Sequence, residues 1–314
     1  MKRLAILIAV LFCAPAFADP IPLQFQPIAL LPDKPEVVTV GRLRYLGGLH
    51  ITSKDSRFGS VSGLEAMPDG TLLGVTDTGY WLRFRPLRDA AGMLAGVRDG
   101  DLDPLRDAGG RAFDGKAWSD AEGLRRDARG DLLVSFEREH RVLRYAKPGG
   151  KGMPVDTPAS LAGQPANGGI EALASWPDGR LLLLSERGRD TDGDVRAWLR
   201  DARGWHSLVY QTQGESLPTD AAVLPSGDLV VLERKFGILT ELGARLALIA
   251  QSRVVPGGKL AGETLAAWEK PYSVDNMEAI AVTTEPDGGV LLWVMSDDNQ
   301  SKTQRTLLML FRVE

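Results

Sequence analysis

Acidic residues recur in this sequence at a spacing that pairs them. Glu122 is followed 15 residues later by Glu137, and Glu171 is followed at the same interval by Glu186. Carboxylates held close together repel one another unless a positive species such as a hard divalent cation compensates their charge. A bound divalent cation, raised carboxyl pKa values or nearby arginines could compensate the charge. For the first of these we expect a calcium-like ion held by carboxylates drawn from nine residues: Asp77, Glu122, Glu137, Glu171, Glu186, Asp220, Glu233, Glu278 and Asp297.

Arginine directly follows three of these acids, as Arg138, Arg187 and Arg234. A guanidinium group binds phosphate oxygens in a bidentate manner. These three residues are predicted to bind an anionic small-molecule substrate or ligand, so that one site would hold a cation and an anion together.

The acids are placed by repeated hairpins. Short runs rich in Val, Leu and Ile flank turns such as Pro68-Asp-Gly70, which is the pattern of antiparallel strands. Five such segments begin at positions 62, 122, 171, 220 and 278. A period near 50 residues built from hairpins predicts an all-β fold, a β-propeller with one blade per repeat.

The number of blades is less clearly determined than the fold. Dividing the chain by the period predicts about six blades, although only five hairpins are clear. We expect the sixth blade to combine residues 37–51 with the C-terminal run Thr306–Val313, which would close the ring. Residues 236–250 are another candidate for its strands, and a five-bladed ring is the alternative.

Counting outward from each turn predicts which residues face each other. If the hairpin axis passes through the bond before the turn glycine, the numbers of facing residues have a constant sum. The facing pairs are then Ser62 and Asp77, Glu122 and Glu137, Glu171 and Glu186, Asp220 and Glu233, and Glu278 and Asp297. All lie away from the turns, so we expect a ring of acids around one end of the central channel. Salt bridges between blades are the alternative role for each acid.

The chain divides into three parts. Residues 1–18 carry the charged start, apolar run and Ala16-Phe17-Ala18 pattern of a secretory signal peptide, so we expect a periplasmic or secreted protein. Residues 19–35 contain five prolines and are predicted to form an extended leader, and residues 36–314 form the propeller domain. The only cysteine, Cys13, lies in the predicted signal peptide, which excludes disulfides and zinc–thiolate sites from the mature chain.

Charge and hydropathy exclude two classes of partner. The 37 Lys and Arg residues against 41 Asp and Glu residues give a net charge of −4, without the basic footprint of a nucleic-acid-binding protein. No stretch after the signal peptide is apolar enough to span a membrane. We expect a monomer with a small-molecule ligand.

Short motifs resemble those of the exported bacterial family called phytase-like, or esterase-like activity of phytase. They are Gly59-Ser-Val-Ser-Gly-Leu64, Ser119-Asp-Ala-Glu-Gly-Leu124 and Asn276-Met-Glu-Ala-Ile280. The resemblance implies a propeller that hydrolyses phosphate esters or other esters. By a more distant analogy with calcium-dependent propeller phytases, three pairs are mapped onto a metal-binding role: Glu122 with Glu137, Glu171 with Glu186, and Glu278 with Asp297.

The predicted function is therefore metal-assisted ester hydrolysis at the channel face, with Glu122, Glu171 and Glu278 as catalytic residues. A serine-hydrolase elbow is excluded at Gly59–Gly63, because Val61 stands at the nucleophile position. Two alternatives stay open. One is a non-catalytic propeller that binds a ligand or protein. The other is a lactonase-type propeller with one metal held by Glu, Asn and Asp, for which Asn276 beside Glu278 is the best-placed asparagine.

Overall fold

The computed structural model describes residues 19–235 and 242–314, so the predicted signal peptide lies outside the described residues. The first four strands are β1 (Asp19–Ile21), β2 (Leu23–Ile28), β3 (Thr39–Val40) and β4 (Leu43–Ser53). They are followed by β5 (Val61–Ala66), β6 (Leu72–Thr76), β7 (Tyr80–Arg88), β8 (Leu94–Pro104), the single helical turn α1 (Lys116–Ser119), β9 (Ala121–Arg126), β10 (Leu132–Phe136), β11 (Arg141–Tyr145) and β12 (Met153–Pro154).

The second half continues the same alternation of strands and turns. It comprises a 3₁₀ turn (Ala159–Gly163), β13 (Ile170–Ser175), β14 (Leu181–Arg189), β15 (Val195–Asp201), β16 (Gly204–Gln211), β17 (Leu217–Val223), β18 (Leu229–Lys235), β19 (Gly243–Ile249), a second 3₁₀ turn (Gln251–Arg253), β20 (Lys259–Ala261), β21 (Glu263–Glu269), β22 (Asn276–Thr284), β23 (Val290–Asp297) and β24 (Thr306–Val313).

These strands form five sheets, the blades of a β-propeller. In spatial order from the inner strand outward, the blades are β5-β6-β7-β8-β1, β9-β10-β11-β12, β13-β14-β15-β16-β20, β17-β18-β19-β21 and β22-β23-β24-β4-β2. Each inner strand packs against the inner strand of the next blade, and β22 packs against β5, which closes the ring. Apolar side chains fill the spaces between blades; Ala174 and Leu182 of the third blade, for example, share a cluster with Leu229 and Val231 of the fourth.

The all-β propeller is as predicted, but the prediction of six blades was wrong, because the structure has five. The fifth repeat supplies only the strands β22 and β23. The C-terminal β24 pairs with β23, and β4 from the N-terminal part pairs with β24, so the two chain ends complete the fifth blade rather than forming a sixth. The other candidate segment, 236–250, contributes β19 to the fourth blade.

The hairpin turns are built alike in all five blades. In the first, the N–H of Met67 donates to the carbonyl of Thr71 at 2.9 Å, and Gly70 has a φ of 78°. This is a three-residue loop that ends in a left-handed glycine. The same bonds and a positive φ occur at Gly130, Gly179, Gly227 and Gly288. The hairpin axis therefore passes through the residue before the glycine, not through the bond between them.

This axis, together with a β-bulge, corrects the predicted facing pairs. Near the turn the observed register differs from the predicted one by one residue: Leu124 lies opposite Val134, whereas the prediction placed it opposite Ser135. A bulge in each inner strand then shifts it by one more, so that the N–H of Glu137 bonds to the carbonyl of Asp120 rather than facing Glu122. The acids are thus neighbours at one end of the blades without being directly opposite.

Among the residues described, no helix has the length and apolar character needed to cross a membrane.

Candidate metal and anion site

The β-bulges aim one side chain per blade toward the end of the channel. The bulged residue, which has no direct partner across the strand pair, is Ser62 in β5, Glu171 in β13 and Glu278 in β22. In β9 the bulge contains Glu122, and in β17 it is Thr219. A bulge bends the strand and redirects its side chain, and this irregularity gathers Ser62, Glu122, Glu171 and Glu278 around one cavity, whereas the Thr219 hydroxyl donates to the Met277 carbonyl at 3.0 Å.

A second side chain per blade comes from the end of the neighbouring strand. Each lies opposite the residue that stands two positions before the bulged residue of its own blade; Glu137, for example, lies opposite Asp120. The five residues are Asp77, Glu137, Glu186, Arg234 and Asp297. The fourth blade therefore contributes Thr219 and Arg234 where the others contribute mainly acids. The sequence prediction chose Asp220 and Glu233 for this blade by residue type. The distance from the turn glycine points instead to Thr219 and Arg234, which lie eight residues before Gly227 and seven after it.

Asp220 and Glu233 lie away from this site, each bound by an arginine. Asp220 is fully buried, with its Oδ1 atom 2.7 Å from the Arg125 Nη2 atom. Glu233 accepts hydrogen bonds from the Tyr210 hydroxyl and, at 2.8 Å, from Arg245. Both belong to buried ion pairs and are not among the residues that could share a metal.

Arg125 closes the channel beneath the site. Its guanidinium donates to the carbonyls of Leu64 at 2.7 Å and Ile280 at 2.9 Å, which belong to two other inner strands. It also donates to the carbonyl of Ala221. Because one side chain joins the inner strands of four blades, it fixes the ring that positions the acids above it.

The gathered side chains enclose a cavity of about 240 Å³, here called the acidic cavity. Its lining consists of Ser62, Asp77, Lys116, Asp120, Glu122, Glu137, Arg138, Asn167, Glu171, Glu186, Arg187, Arg234, Glu278, Asp297 and Asn299. Eight carboxylates and four cationic side chains leave four excess negative charges. Two divalent cations would neutralise that excess.

Three acids of the second blade are the best candidate ligands for one ion. Carboxylate oxygens of Asp120, Glu122 and Glu137 lie within 4.8 Å of one another, and all three residues are buried. An all-oxygen set of this kind suits a hard cation such as Ca²⁺. Asp120 was missed by the sequence prediction, although it stands two positions before Glu122 in the motif Ser119-Asp-Ala-Glu.

Hydrogen bonds within the protein satisfy some of the acids but not others. Glu137 accepts the backbone N–H groups of Gly168 and Gly169. Asp297 accepts the N–H of Asn299 at 2.7 Å. Among the described residues, neither Glu122 nor Glu171 accepts a hydrogen bond. Their carboxylates are therefore open to a cation or a proton inside the cavity.

Burial and mutual repulsion raise the pKa values of the cavity acids. For Glu122 the pKa rises well above its usual value, mainly through loss of solvation and then through the charge of Glu171. Glu171 has its pKa raised in the same way by burial, followed by the charge of Glu186. Burial also raises the pKa of Asp297 well above the normal range. These shifts show how costly it is to ionise the whole cluster without a counter-charge.

The four cationic side chains of the acidic cavity differ in how exposed they are. Lys116, Arg138 and Arg187 are 50%, 40% and 53% exposed at the mouth of the cavity. Lys116 lies 2.7 Å from Asp77 and 2.8 Å from Asp120, and Arg138 lies 2.7 Å from Asp120.

Arg234 lies deeper, with its side chain only 15% exposed. Its Nη1 donates to Glu278 at 2.6 Å and its Nη2 to Glu186 at 2.7 Å. Arg234, which the sequence predicts to bind substrate, thus forms ion pairs with both acids, whereas Arg138 and Arg187 are the more exposed arginines of the cavity.

All three asparagines of the chain lie at this site. Asn167 and Asn299 line the cavity, and Asn276 donates to Glu278 at 2.8 Å. Their amide oxygens could add neutral ligands to the carboxylates.

Comparison with known proteins identifies the family. The family model described as "Phytase-like: Esterase-like activity of phytase" matches residues 56–300. A comparison with curated protein sequences gives no match.

Solved structures with a similar fold are distant in sequence. They include the PQQ-bound aldose sugar dehydrogenase of Streptomyces coelicolor (15% identity, TM-score 0.43, covering 92% of this chain and 99% of the other). A gluconolactonase of Xanthomonas campestris is 13% identical with a TM-score of 0.44, covering 96% and 99%. A protein of unknown function from Dyadobacter fermentans is 10% identical with a TM-score of 0.46, covering 87% and 100%.

Proposed function

Since the chain belongs to the phytase-like family, we propose that its acidic cavity hydrolyses phosphate esters with the help of a divalent cation, calcium in the first place. The observation that carries this proposal is the buried cluster of Asp120, Glu122 and Glu137, whose oxygens lie within 4.8 Å of one another. These three residues would hold the ion. A bound cation of this kind neutralises a phosphate group and lowers the pKa of water.

The residues around the cluster supply the other requirements of hydrolysis. Arg138 and Arg187 reach the cavity mouth and would bind the phosphate oxygens, with Lys116 beside them. Arg234 holds Glu186 and Glu278 in place. This division of labour supports an anion bound at the mouth above a cation in the interior.

Glu171 is the proposed general base. It lines the acidic cavity without accepting a hydrogen bond from the described residues, and burial together with the charge of Glu186 raises its pKa, which makes its carboxylate a stronger base. Glu122 is assigned to the cation, and Glu278 is assigned to the Arg234 network rather than to proton transfer.

The proposal is tested by assaying the purified protein on phytate, simple phosphate esters and aliphatic lactones, with calcium and with chelator. We expect phosphate-ester turnover that needs calcium and that falls at least about 100-fold in Glu171→Gln, the range for loss of a general base. Glu139→Gln is the matched control, because Glu139 is exposed two residues beyond Glu137. Turnover that survives chelator, or Glu171→Gln with full activity, would refute the mechanism.

The lactonase-type alternative is favoured by one observation, the convergence of all three asparagines on the cavity. It predicts metal-dependent lactone opening without phosphate-ester turnover in the same assay. A non-catalytic binding propeller predicts calcium binding with no turnover of any of these substrates.

A further inference from the structure

A second cavity lies on the other side of helix α1 from the acidic cavity. It has a volume of about 560 Å³, and its apolar wall includes Phe113, Trp118, Leu143 and Pro154. A cavity of this size with aromatic walls is typical of small-molecule sites. We call it the aromatic pocket.

Helix α1 is the wall that the two cavities share. Lys116 and Trp118 stand two positions apart in this single turn, so their side chains leave it roughly 200° apart. The Lys116 ammonium lies in the acidic cavity, 2.7 Å from Asp77, while the Trp118 indole lines the aromatic pocket. A molecule that passes over α1 would reach both.

The aromatic pocket contains a preformed platform. Trp118 is 51% exposed, which is unusual for so large an apolar residue. The Arg141 guanidinium lies 5.6 Å from the Trp118 ring centre, 5.1 Å from that of Phe113 and 4.1 Å from that of Phe136. Arg141 also donates to the Trp118 carbonyl. The indole is thus held in place by Arg141, and about half of Trp118 stays exposed.

The charges in the lining favour an uncharged occupant. Asp107 lies 3.3 Å from Arg111, and Asp114 and Arg141 balance each other in sign. In contrast, the neighbouring acidic cavity has cations at its mouth. The anionic part of a ligand would therefore bind at the acidic cavity and its apolar part at the aromatic pocket.

We propose that the aromatic pocket is a subsite for the leaving group of the substrate, and that the substrates are phosphate monoesters whose alcohol carries an aromatic ring on a chain long enough to pass over α1, rather than fully hydrophilic polyphosphates. The inference rests on the proposed function. It adds that Trp118 determines specificity by stacking on the aromatic ring, while Arg138 and Arg187 bind the phosphate.

The test compares two non-hydrolysable probes, 6-phenylhexylphosphonate and hexylphosphonate, titrated calorimetrically into the calcium-loaded full chain. We expect 6-phenylhexylphosphonate to bind about tenfold more tightly or better, since a stacked ring buries a large apolar surface. In Trp118→Ala the ratio of the two affinities should fall to about one, with the hexylphosphonate affinity unchanged. Met153→Ala is the control, because Met153 is exposed beside Pro154 without lining the pocket, and it should keep the preference.

The outcomes separate the two proposals. Equal affinities for both probes in the unaltered chain, or a preference that survives Trp118→Ala, would overturn the subsite alone. If neither probe binds, the proposed phosphate-ester function fails and the subsite fails with it.

Discussion

Gly123 passes so close to Glu171 that a Cβ atom on Gly123 would lie 2.6 Å from the Glu171 carbonyl oxygen. The two residues belong to adjacent inner strands, and the bulges that contain Glu122 and Glu171 are brought together by this approach. The absence of a side chain at position 123 therefore helps to position two acids of the cavity.

Replacing this glycine should disturb the site. We expect Gly123→Ala to lower the free energy of unfolding by about 1–3 kcal/mol, the usual cost of overpacking, and to weaken calcium binding. Chemical denaturation and calorimetric titration measure the two effects. Gly163→Ala is the control, because a Cβ there meets nothing within 4 Å; equal behaviour of the two variants would contradict the role assigned to Gly123.

The unpartnered acids should make the metal-free protein less stable than its neutral variants. Glu122→Gln removes a buried charge without changing the shape of the side chain. In chelator we expect it to raise the free energy of unfolding by about 1–3 kcal/mol, the scale of an unsatisfied buried polar group.

With calcium bound, we expect the unaltered protein to be more stable than Glu122→Gln. The unaltered protein gains about 2.7 kcal/mol at a calcium concentration 100 times the dissociation constant, whereas Glu122→Gln gains much less. Thermal melts with and without calcium, with Glu139→Gln as control, measure this. A variant less stable than the parent in chelator would show that Glu122 is already satisfied within the protein.

The raised pKa values predict an unusual dependence of stability on pH. Burial raises the pKa of Asp220 to about 7, and the pKa values of Glu122, Glu171 and Asp297 are also raised. Between their unfolded pKa values near 4 and these higher native values, the folded protein holds protons that the unfolded chain has lost.

By linkage, the free energy of unfolding of the metal-free protein should therefore fall as pH rises from about 4 to about 7. Denaturation at a series of pH values in chelator tests the sign. Saturating calcium should make the free energy of unfolding depend less on pH, because the ion binds the charged carboxylates and so opposes their protonation. A metal-free protein that gains stability steadily over that range would contradict the account.

The Arg125–Asp220 pair gives a test of the channel floor. Arg125→Met leaves Asp220 buried without its partner and removes the links between inner strands, so we expect a loss of about 3–5 kcal/mol. Adding Asp220→Asn should restore part of this stability, since it removes the uncompensated charge. Urea denaturation of both single variants and the double variant measures the coupling energy between the two residues. If the losses in free energy of unfolding of the single variants simply add in the double variant, the two residues do not interact.

Much of the fold and of the site could be predicted from the sequence because the repeat is strong. The turns ending in Gly70, Gly130, Gly179, Gly227 and Gly288 fix hairpins of similar length, and a chain of such hairpins forms a propeller. The position of the acids far from those turns was enough to predict that Glu122, Glu137, Glu171 and Glu186 lie near one another.

What could not be predicted depends on contacts between distant parts of the chain. The blade count depends on the pairing of β4 with β24, which no local pattern reveals. Arg125 lies 95 residues before Asp220, so nothing near that acid showed that it was already paired. Arg245 lies opposite Glu233 on the next strand, a pairing that required the register of β18 with β19. The bulges leave no mark of their own in the sequence, although the distance from Gly227 could have pointed to Thr219 and Arg234.

The central claim is that the acidic cavity binds a divalent cation through Glu122 and its neighbours. Calorimetric titration of calcium into chelator-stripped protein tests it most directly. We predict saturable binding of one or two ions per chain that is lost or weakened at least about tenfold, or roughly 1.4 kcal/mol, in Glu122→Gln and retained in Glu139→Gln. Absence of saturable binding to the unaltered chain, or equal binding by Glu122→Gln, would contradict the claim.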